Sequence, residues 1–360
     1  MDDTEKMLKE LTEVTGISGY EAEARNVIKR YLEPIGEISY DKLGSLVCTK
    51  AGDSAGPKVM LAAHMDECGF MVQQITKEGF IKFIPLGGWW DHVLLAQRVQ
   101  IHTVKGDVKG VIGAKPPHVL TEEERKKMVE KKDMYIDIGA TSQEEVEASG
   151  VRIGDPIVPL SEFSILPNGK SYLSKAADDR IGCAVIISTM QKLVNESHPN
   201  TVYGVATVQE EVGLRGGRTS VDVVKPDVAF VLESGLASDI PGMPEPIVKL
   251  SGGPVVGFAE PGMITNLKLR DLVIDVAKQR NIPVQISAVT DARIFTDADI
   301  IHLYKSGLPA IVIAPPCRHI HSHTSIFHRD DFDLTVDLLT AIIKELDSKT
   351  VAGFTDWQQG

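Results

Sequence analysis

An alternation of short apolar runs with runs of helical periodicity constrains the fold of this chain more than any other feature of its sequence. The apolar runs have the length of strands buried on both faces, and they lie at residues 58–63, 201–208, 227–232, 283–289 and 309–314. Runs of helical periodicity separate or follow them at residues 179–194, 272–280 and 330–346. Alternation of this kind is typical of an α/β fold, so we predict a mostly parallel sheet sandwiched by helices.

A β-rich stretch interrupts this alternation. Short runs of alternating polarity, divided by Gly and Pro, occupy residues 69–163, with one charged helical pattern at 122–132. A chain of 360 residues also exceeds the size at which a single core usually stops growing. We therefore expect a main domain built from residues 1–68 and 164–360, and a small β-rich domain inserted at 69–163.

The overall charge and the cysteine positions exclude several kinds of protein. The formal net charge of −12 at pH 7 repels phosphate backbones and anionic lipid, so we expect no nucleic-acid and no membrane partner. Neither the apolar core of a signal peptide nor a run long enough to span a bilayer is found, and we expect a cytoplasmic protein. The four cysteines form no C-x-x-C pair, which favours buried thiols over disulfides or a thiolate zinc site.

Ionisable side chains gather directly after the predicted strands. In open α/β sheets, ligands bind beyond the carboxyl ends of the strands, so these side chains are candidates for one site. Those after strands are His64, Asp66, Glu67, Glu210, Glu211, Glu233, His319, His321 and His323, and two more acids, Asp178 and Asp179, lie at the start of the following predicted helix. A single acid at a strand end is usually a helix cap or one half of an ion pair. Several acids that converge on one edge repel each other unless a cation neutralises them, so we expect bound divalent metal.

The types of side chain narrow both the metal and the reaction. Imidazole with carboxylate suits Zn²⁺, Co²⁺ or Mn²⁺ better than Ca²⁺, and the sequence does not choose among the three. Glu210 and Glu211 point in opposite directions if the backbone is extended, so one can bind metal while the other acts as a general base. A metal-activated water with a general base hydrolyses amides. The sequence has no Gly-x-Ser-x-Gly motif, which disfavours a covalent mechanism.

A series of segments along the chain carries a resemblance: LTEVTGISGYE, LAAHMDECGF, SKAADDRIG, VQEEVGLRG, VLESG and CRHIHSHTSI. Over nearly its whole length the chain closely resembles the M42 family of metallo-aminopeptidases, which includes tetrahedral and glutamyl aminopeptidases and proteins once labelled cellulases. The resemblance implies an aminopeptidase that removes N-terminal residues from short peptides by attack of a metal-bridged hydroxide. It implies a zinc-peptidase-like catalytic domain with two divalent cations per subunit, Zn²⁺ or Co²⁺ first and Mn²⁺ as an alternative.

The resemblance also implies a role for each site residue. The metal ligands would be His64, Asp178 and Glu233 at the first cation, and Asp178, Glu211 and His321 at the second. Glu210 would be the general base, and Asp66 would orient the His64 imidazole and hold its tautomer. Family members commonly carry Asp at the position of Glu233, whose longer side chain would change how the carboxylate binds.

The neighbouring polar residues are expected to have structural roles. We expect Asp179 to cap its helix or to pair with Arg180. His319 and His323 would form pocket wall or support the metal ligands from behind, since one cation has no room for three histidines. For Glu67, a solvated or helix-capping role agrees with the sequence as well as a role in the pocket does.

Two short patterns outside the site predict local packing. Ser18 and Glu21 match a capping box in front of a helix predicted at residues 21–31. Trp89 and Trp90 are expected to pack where the insert meets the main domain.

The insert resembles the dimerisation domain of the M42 family. By that resemblance, the chain forms a homo-oligomer, a dodecamer built from dimers, in a closed tetrahedral assembly. Active sites would face an inner cavity whose narrow entrances admit short or unfolded peptides and exclude folded proteins.

Other functions remain open at this point. A metal-independent glycosidase of the endoglucanase type also uses paired carboxylates, although it does not need His64 or His321. A non-catalytic metal-binding scaffold would leave Glu210 without a role, because structural metal sites have no spare base. A small-molecule deacylase or a carboxypeptidase of similar fold is a third alternative. The preferred N-terminal residue is set by loops and is not indicated by the sequence.

Overall fold

A computed structural model of the chain describes residues 1–53, 56–243, 247–289 and 295–357. The strands are, in chain order, β1 (Glu37–Tyr40), β2 (Leu46–Lys50), β3 (Lys58–His64), β4 (Gly69–Ile75), β5 (Ile81–Leu86), β6 (Arg98–Thr103), β7 (Gly106–Gly113), β8 (Tyr135–Asp137), β9 (Pro156–Pro159), β10 (Ser164–Ile165), β11 (Ser171–Ser174), β12 (Thr201–Thr207), β13 (Val228–Leu232), β14 (Gly235–Leu236), β15 (Val255–Glu260), β16 (Met263–Ile264), β17 (Gln285–Ala288), β18 (Ala310–Ala314), β19 (Pro316–Arg318) and β20 (Ser325–His328). The helices are α1 (Asp3–Glu13), α2 (Ala22–Leu32), α3 (Glu122–Arg125), α4 (Gln143–Ala148), α5 (Ala177–Lys192), α6 (Arg215–Val224), α7 (Leu267–Gln279), α8 (Ala298–Ile301), α9 (Arg329–Glu345) and α10 (Ser348–Gly353). Within the described ranges, no helix combines the length and the apolar content needed to cross a bilayer.

The main sheet confirms the predicted α/β fold. Its strands run in the order β1-β2-β12-β3-β13-β18-β15-β16, and β17 pairs with β15. The central strands β12, β3, β13 and β18 are parallel to one another. Antiparallel pairs form between β1 and β2, β2 and β12, β18 and β15, and β15 and β16. The sheet is thus parallel where the site residues follow their strands and mixed toward its edges, where short connections join β1 to β2 and β15 to β16.

Strand β3 shows why the central runs are apolar at every position. Val59, Leu61 and Ala63 pack into the core that also contains α5, while Met60 and Ala62 pack into the opposite core, with α6 and α8. All five side chains are fully buried. Because successive side chains of a strand point to opposite faces, a strand covered on both sides has no position left for a polar residue.

The β-rich stretch forms a closed barrel of strands β4-β5-β8-β7-β6-β9. All of these strands lie within residues 69–163, and they enclose a core of their own with Phe70, Ile101 and Ile136 at its centre. The helix predicted at 122–132 is shorter, because the chain after α3 turns to place Lys131 against Asp91.

The two tryptophans of the barrel segment behave differently. Trp89 is buried, stacks on Phe70 with ring centroids 4.8 Å apart, and contacts His323 of the main domain at 5.2 Å. Its predicted place between the two units is confirmed. Trp90 is 63% exposed and contacts His92, so the same prediction is wrong for Trp90. The backbone of Trp90 is extended, and neighbouring side chains on an extended backbone point in opposite directions.

A second, smaller sheet and a buried ion pair support the loops around the carboxyl ends of the central strands. The small sheet has the order β10-β11-β20-β19-β14 and carries the loop between β19 and β20. Lys175, which follows β11, donates to both carboxylate oxygens of Glu67 at 2.7 and 2.8 Å. Both side chains are buried. Glu67 is therefore neither solvated nor a helix cap.

We expect Lys175→Met to destabilise the protein strongly, because it leaves the Glu67 carboxylate buried without its nearest cation. Breaking a buried ion pair costs about 3–5 kcal/mol. The matched control is Lys170→Met, which removes an exposed pair with Asp330 and should cost about 0–1 kcal/mol. Urea unfolding followed by circular dichroism measures both, and equal shifts of the two midpoints would contradict this account.

Candidate metal centre

Strand ends, the start of a helix and a loop place the predicted site residues close together, beyond the carboxyl ends of the central strands. β3 ends at His64, Glu233 follows β13 directly, and Glu210 and Glu211 lie in the loop after β12. Asp178 lies at the start of α5, where its backbone is not helical, and His321 lies in the loop between β19 and β20. The residues that the structure brings together are His64, Asp66, Asp178, Glu210, Glu211, Glu233 and His321.

The carboxylate of Asp178 lies between two imidazole rings. Its Oδ1 is 3.2 Å from Nε2 of His64, and its Oδ2 is within 3.4 Å of Nε2 of His321. Glu210 and Glu233 each place an oxygen 3.9 Å from the same nitrogen of His64. Asp178 is therefore positioned as a ligand shared between two cations would be.

Two groups of metal-binding donor atoms result from this arrangement. His64, Asp178 and Glu233 each supply one atom to the first group, and all its atoms lie within 4.8 Å of one another. Glu211 and His321 belong to a second group of the same spacing, which also contains Cys68. Cys68 was not predicted as a ligand, although it follows His64 by four residues, because it belongs to no C-x-x-C pair.

Hydrogen bonds to backbone carbonyls fix both imidazole rings in the form that a metal ligand needs. Nδ1 of His64 bonds the carbonyl oxygen of Asp66 at 2.9 Å, and Nδ1 of His321 bonds that of Gly88 at 2.8 Å. A carbonyl can only accept, so the proton of each neutral ring is assigned to Nδ1. Each Nε2 then directs a lone pair toward Asp178, which is the tautomer that binds divalent metal.

The site carries more negative charge than its side chains can neutralise. Burial and the neighbouring carboxylates raise the pKa values of Glu210 and Glu233 well above their usual range, against the opposing effect of His64. Burial also raises the pKa of Glu211. Although burial lowers it, the pKa of His321 is raised to about 10 by the Asp178 carboxylate. Without a cation, the cluster therefore holds protons that a cation would displace.

Asp66 acts mainly on the backbone of the two tandem glutamates. Its fully buried carboxylate accepts hydrogen bonds from the backbone N–H of Glu210 at 3.0 Å and of Glu211 at 3.3 Å. The same carboxylate lies 3.6 Å from Nδ1 of His64, whereas the backbone carbonyl of Asp66 is nearer at 2.9 Å. Asp66 thus orients the His64 ring through its carbonyl and positions both glutamates through its side chain.

The predicted capping box of Ser18 and Glu21 is wrong. The Ser18 hydroxyl donates to Asp66 at 2.6 Å, and the Glu21 carboxylate accepts from the backbone N–H of Gly19 and Gln209. Helix α2 begins after Glu21 without a side-chain cap. A buried carboxylate needs donors more than an exposed helix end does, so the segment before α2 supports the site instead.

Asp179 caps helix α5, as predicted, by accepting from the backbone N–H of Gly182 at 3.1 Å. Arg180 does not pair with Asp179. Its buried guanidinium donates to the carbonyl oxygens of Leu11, Gly16 and Met65 instead. This places α5 against both the N-terminal segment and the end of β3.

The remaining histidines of the loop lie outside both donor groups. His323 is buried against Trp89, and burial lowers its pKa to about 4. His319 is exposed and has a positive φ of 62°. Neither borders the small cavity beside Asp178 and Glu211, and their predicted role as pocket wall or as support behind the metal ligands stays a prediction.

The residues present fit a pair of divalent cations. Within the described part of the chain, Asp179 Oδ2 and Asp297 Oδ1 are buried beside the cluster and have no hydrogen-bond donor. Burial raises the pKa of both carboxyl groups, to about 6 for Asp297, and a nearby cation would stabilise their charged forms. Two neutral imidazoles, a carboxylate facing both, and further carboxylates make a donor set that suits Zn²⁺, Co²⁺ or Mn²⁺.

Comparison with known proteins agrees with this geometry. The model of the M42 glutamyl aminopeptidase family matches residues 44–338, and a second model, AMPT, matches residues 2–28. The glutamyl aminopeptidase of Lactococcus lactis subsp. cremoris is 35% identical, with 96% of this chain and 97% of the relative covered. The lysyl aminopeptidase of Pyrococcus furiosus is 33% identical, with 95% and 97% covered.

Solved structures match over nearly the whole chain. A TET aminopeptidase from a marine sediment archaeon of the Thaumarchaeota has a TM-score of 0.96 and 48% identity, covering 98% of this chain and 100% of its own. The Pyrococcus horikoshii TET1 peptidase, which can assemble into a tetrahedron or a large octahedral shell, has a TM-score of 0.84 and 32% identity, covering 96% and 100%. The chain is an aminopeptidase and belongs to the M42 glutamyl aminopeptidase family.

Proposed function

We propose that this aminopeptidase cleaves N-terminal residues from short peptides with two divalent cations bound by the side chains described above. The first cation is held by His64, Asp178 and Glu233, and the second by Asp178, Glu211 and His321. The position of Asp178, with one oxygen toward each Nε2, carries this proposal. Bound there, the cations supply Lewis acidity, which polarises the scissile carbonyl and acidifies water.

Glu210 is the general base in this proposal. It lies outside both donor groups, yet its backbone is held by Asp66 and its carboxylate is 3.9 Å from Nε2 of His64. Burial raises its pKa, which increases the proton affinity that a general base uses. Glu210 removes the proton of the attacking water and then passes it to the leaving amine.

The side chain of Glu233 reaches the site despite its extra methylene. Its Oε2 is as far from Nε2 of His64 as the nearest oxygen of Glu210 is, 3.9 Å. This supports a ligand role for Glu233.

We propose Zn²⁺ or Co²⁺ as the native metal, with Mn²⁺ as the alternative, because imidazole and carboxylate ligands suit all three.

We further propose that the chain assembles from dimers into a dodecamer in the cytoplasm, with the barrel as its oligomerisation domain. The TET1 peptidase that matches this chain assembles into a tetrahedron or an octahedral shell, which supports a large closed particle. Relatives of similar identity are named for glutamyl and for lysyl activity. No preference for the N-terminal residue therefore transfers to this chain.

We expect Glu210→Gln to keep two metal ions per chain while kcat/KM falls by about 10²–10⁴, because the amide cannot accept the water proton. Metal content by mass spectrometry of inorganic ions and hydrolysis of aminoacyl chromogenic substrates measure the two effects. Glu211→Gln is the matched comparison, since the same change there should cost the protein one ion. Full activity of the Glu210 variant would overturn its assigned role.

Complete removal of metal should abolish peptide cleavage, and refilling the protein with Zn²⁺, Co²⁺ or Mn²⁺ should restore it to different extents. Measuring this restored activity on a panel of aminoacyl substrates also determines the preferred N-terminal residue.

N-acetylation of a peptide substrate should prevent cleavage, because an aminopeptidase requires the free amine. Hydrolysis of a glucan that survives metal removal would favour the glycosidase instead.

The particle in solution should have a mass close to twelve times the 39.2 kDa of the chain. Light scattering coupled to size exclusion measures this mass. A monomer or a dimer at micromolar concentration would contradict the closed assembly without affecting the assignment of the metal ligands.

A further inference from the structure

Cys68 differs from the other cysteines in what its sulfur contacts. All four thiols are free and buried. The sulfur atoms of Cys48, Cys183 and Cys317 each approach a backbone carbonyl oxygen, at 3.5, 3.3 and 3.7 Å. A buried structural thiol satisfies its weak donor in this way. Among the described residues, Cys68 alone of the four is grouped with side chains that bind metals.

The sulfur of Cys68 faces His321 and Glu211. Its Sγ lies 3.6 Å from Nδ1 of His321, but that nitrogen already donates its proton to the carbonyl of Gly88 and cannot accept the thiol proton. Donor atoms of Cys68, Glu211 and His321 lie within 4.8 Å of one another. The thiol donates to the Glu211 carboxylate instead, and it lies beside two proposed ligands of the second cation.

Gly87 approaches the sulfur of Cys68 and the carboxylate of Glu211 closely, with no side chain of its own. A Cβ at Gly87 would lie 2.4 Å from Sγ of Cys68 and 2.9 Å from Oε2 of Glu211, so a larger residue would block both atoms. A cavity of about 20 Å³ borders Cys68, Asp178, Glu211 and His321. That volume accommodates one species of about the size of a water molecule.

We propose that Cys68 binds the second cation as a thiolate, beside Asp178, Glu211 and His321. This inference rests on the proposed dinuclear centre. On binding, the S–H bond breaks, the sulfur donates its electron pair to the cation, and the proton leaves to solvent. Four protein donors then surround the second cation, and a fifth position is left for the substrate, as in zinc sites that expand during catalysis.

A thiolate ligand makes the two cation sites chemically unequal. Soft sulfur favours Zn²⁺ and Co²⁺, whereas a site of carboxylate and imidazole also accepts Mn²⁺. The second site should therefore discriminate against Mn²⁺ more strongly than the first does. Replacement of Cys68 should remove this difference.

Cobalt absorption tests the inference directly. We expect the protein loaded with two Co²⁺ per chain to show a near-ultraviolet sulfur-to-cobalt charge-transfer band. Cys68→Val and Cys68→Ser should lose the band and release the second ion at a roughly tenfold lower chelator concentration. Cys48→Ser, the same change at a buried thiol remote from the site, should keep both properties. A Co²⁺-loaded wild-type protein without the band, or Cys68 variants that retain it, would overturn the inference.

X-ray absorption of the zinc-loaded wild-type protein gives a second answer that needs no variant to fold. One sulfur at about 2.3 Å per two zinc ions supports the inference, and nitrogen and oxygen neighbours alone contradict it. Two bound ions with peptidase activity but no sulfur would refute the role of Cys68 and leave the dinuclear centre intact. Failure to bind any Co²⁺ or Zn²⁺ would instead refute the dinuclear centre, and the role of Cys68 with it.

Discussion

Electrostatic repulsion among buried carboxylates is the constraint on which the rest of this structure depends. Asp178, Glu210 and Glu233 each place an oxygen within 3.9 Å of Nε2 of His64, and Glu211 shares a donor group with His321, which Asp178 also faces. Each is largely removed from water, where its charge is expensive. The fold can keep these groups together because cations can take the place of the protons that the cluster otherwise holds, and the Nδ1 hydrogen bonds of both histidines leave each Nε2 available to a cation beside Asp178.

The neighbouring polar residues hold this arrangement in place. Asp66 fixes the backbone of Glu210 and Glu211, and Ser18 in turn donates to Asp66. Arg180 ties the N-terminal segment to the end of β3 through carbonyl oxygens. These contacts use buried donors that cost free energy unless satisfied, so each positions the site and stabilises the fold at once. The barrel contributes the carbonyl of Gly88, which links the insert to a proposed metal ligand.

Much of the fold could be predicted from the sequence because the spacing of apolar residues indicates which faces of a strand or helix are buried. The central strands are apolar throughout since both faces are covered, and the residues that follow them meet because parallel strands end at one edge.

Contacts between residues far apart in the chain could not be predicted in the same way. Ser18 matched a local capping pattern, yet its hydroxyl donates to the buried carboxylate of Asp66, 48 residues away. Cys68 carried no paired motif, and its place beside Glu211 depends on how closely Gly87 of the barrel approaches. Trp90 was predicted to pack like Trp89, but the extended backbone turns it outward.

The central claim is that one carboxylate, Asp178, is shared by two cations. Anomalous diffraction from crystals grown with Zn²⁺ or Co²⁺ tests it most directly, because it locates each ion without reference to activity. The account predicts two peaks per chain, about 3.5–4 Å apart, one between Asp178 and His64 and the other between Asp178 and His321. A single peak, or peaks that do not flank Asp178, would contradict it.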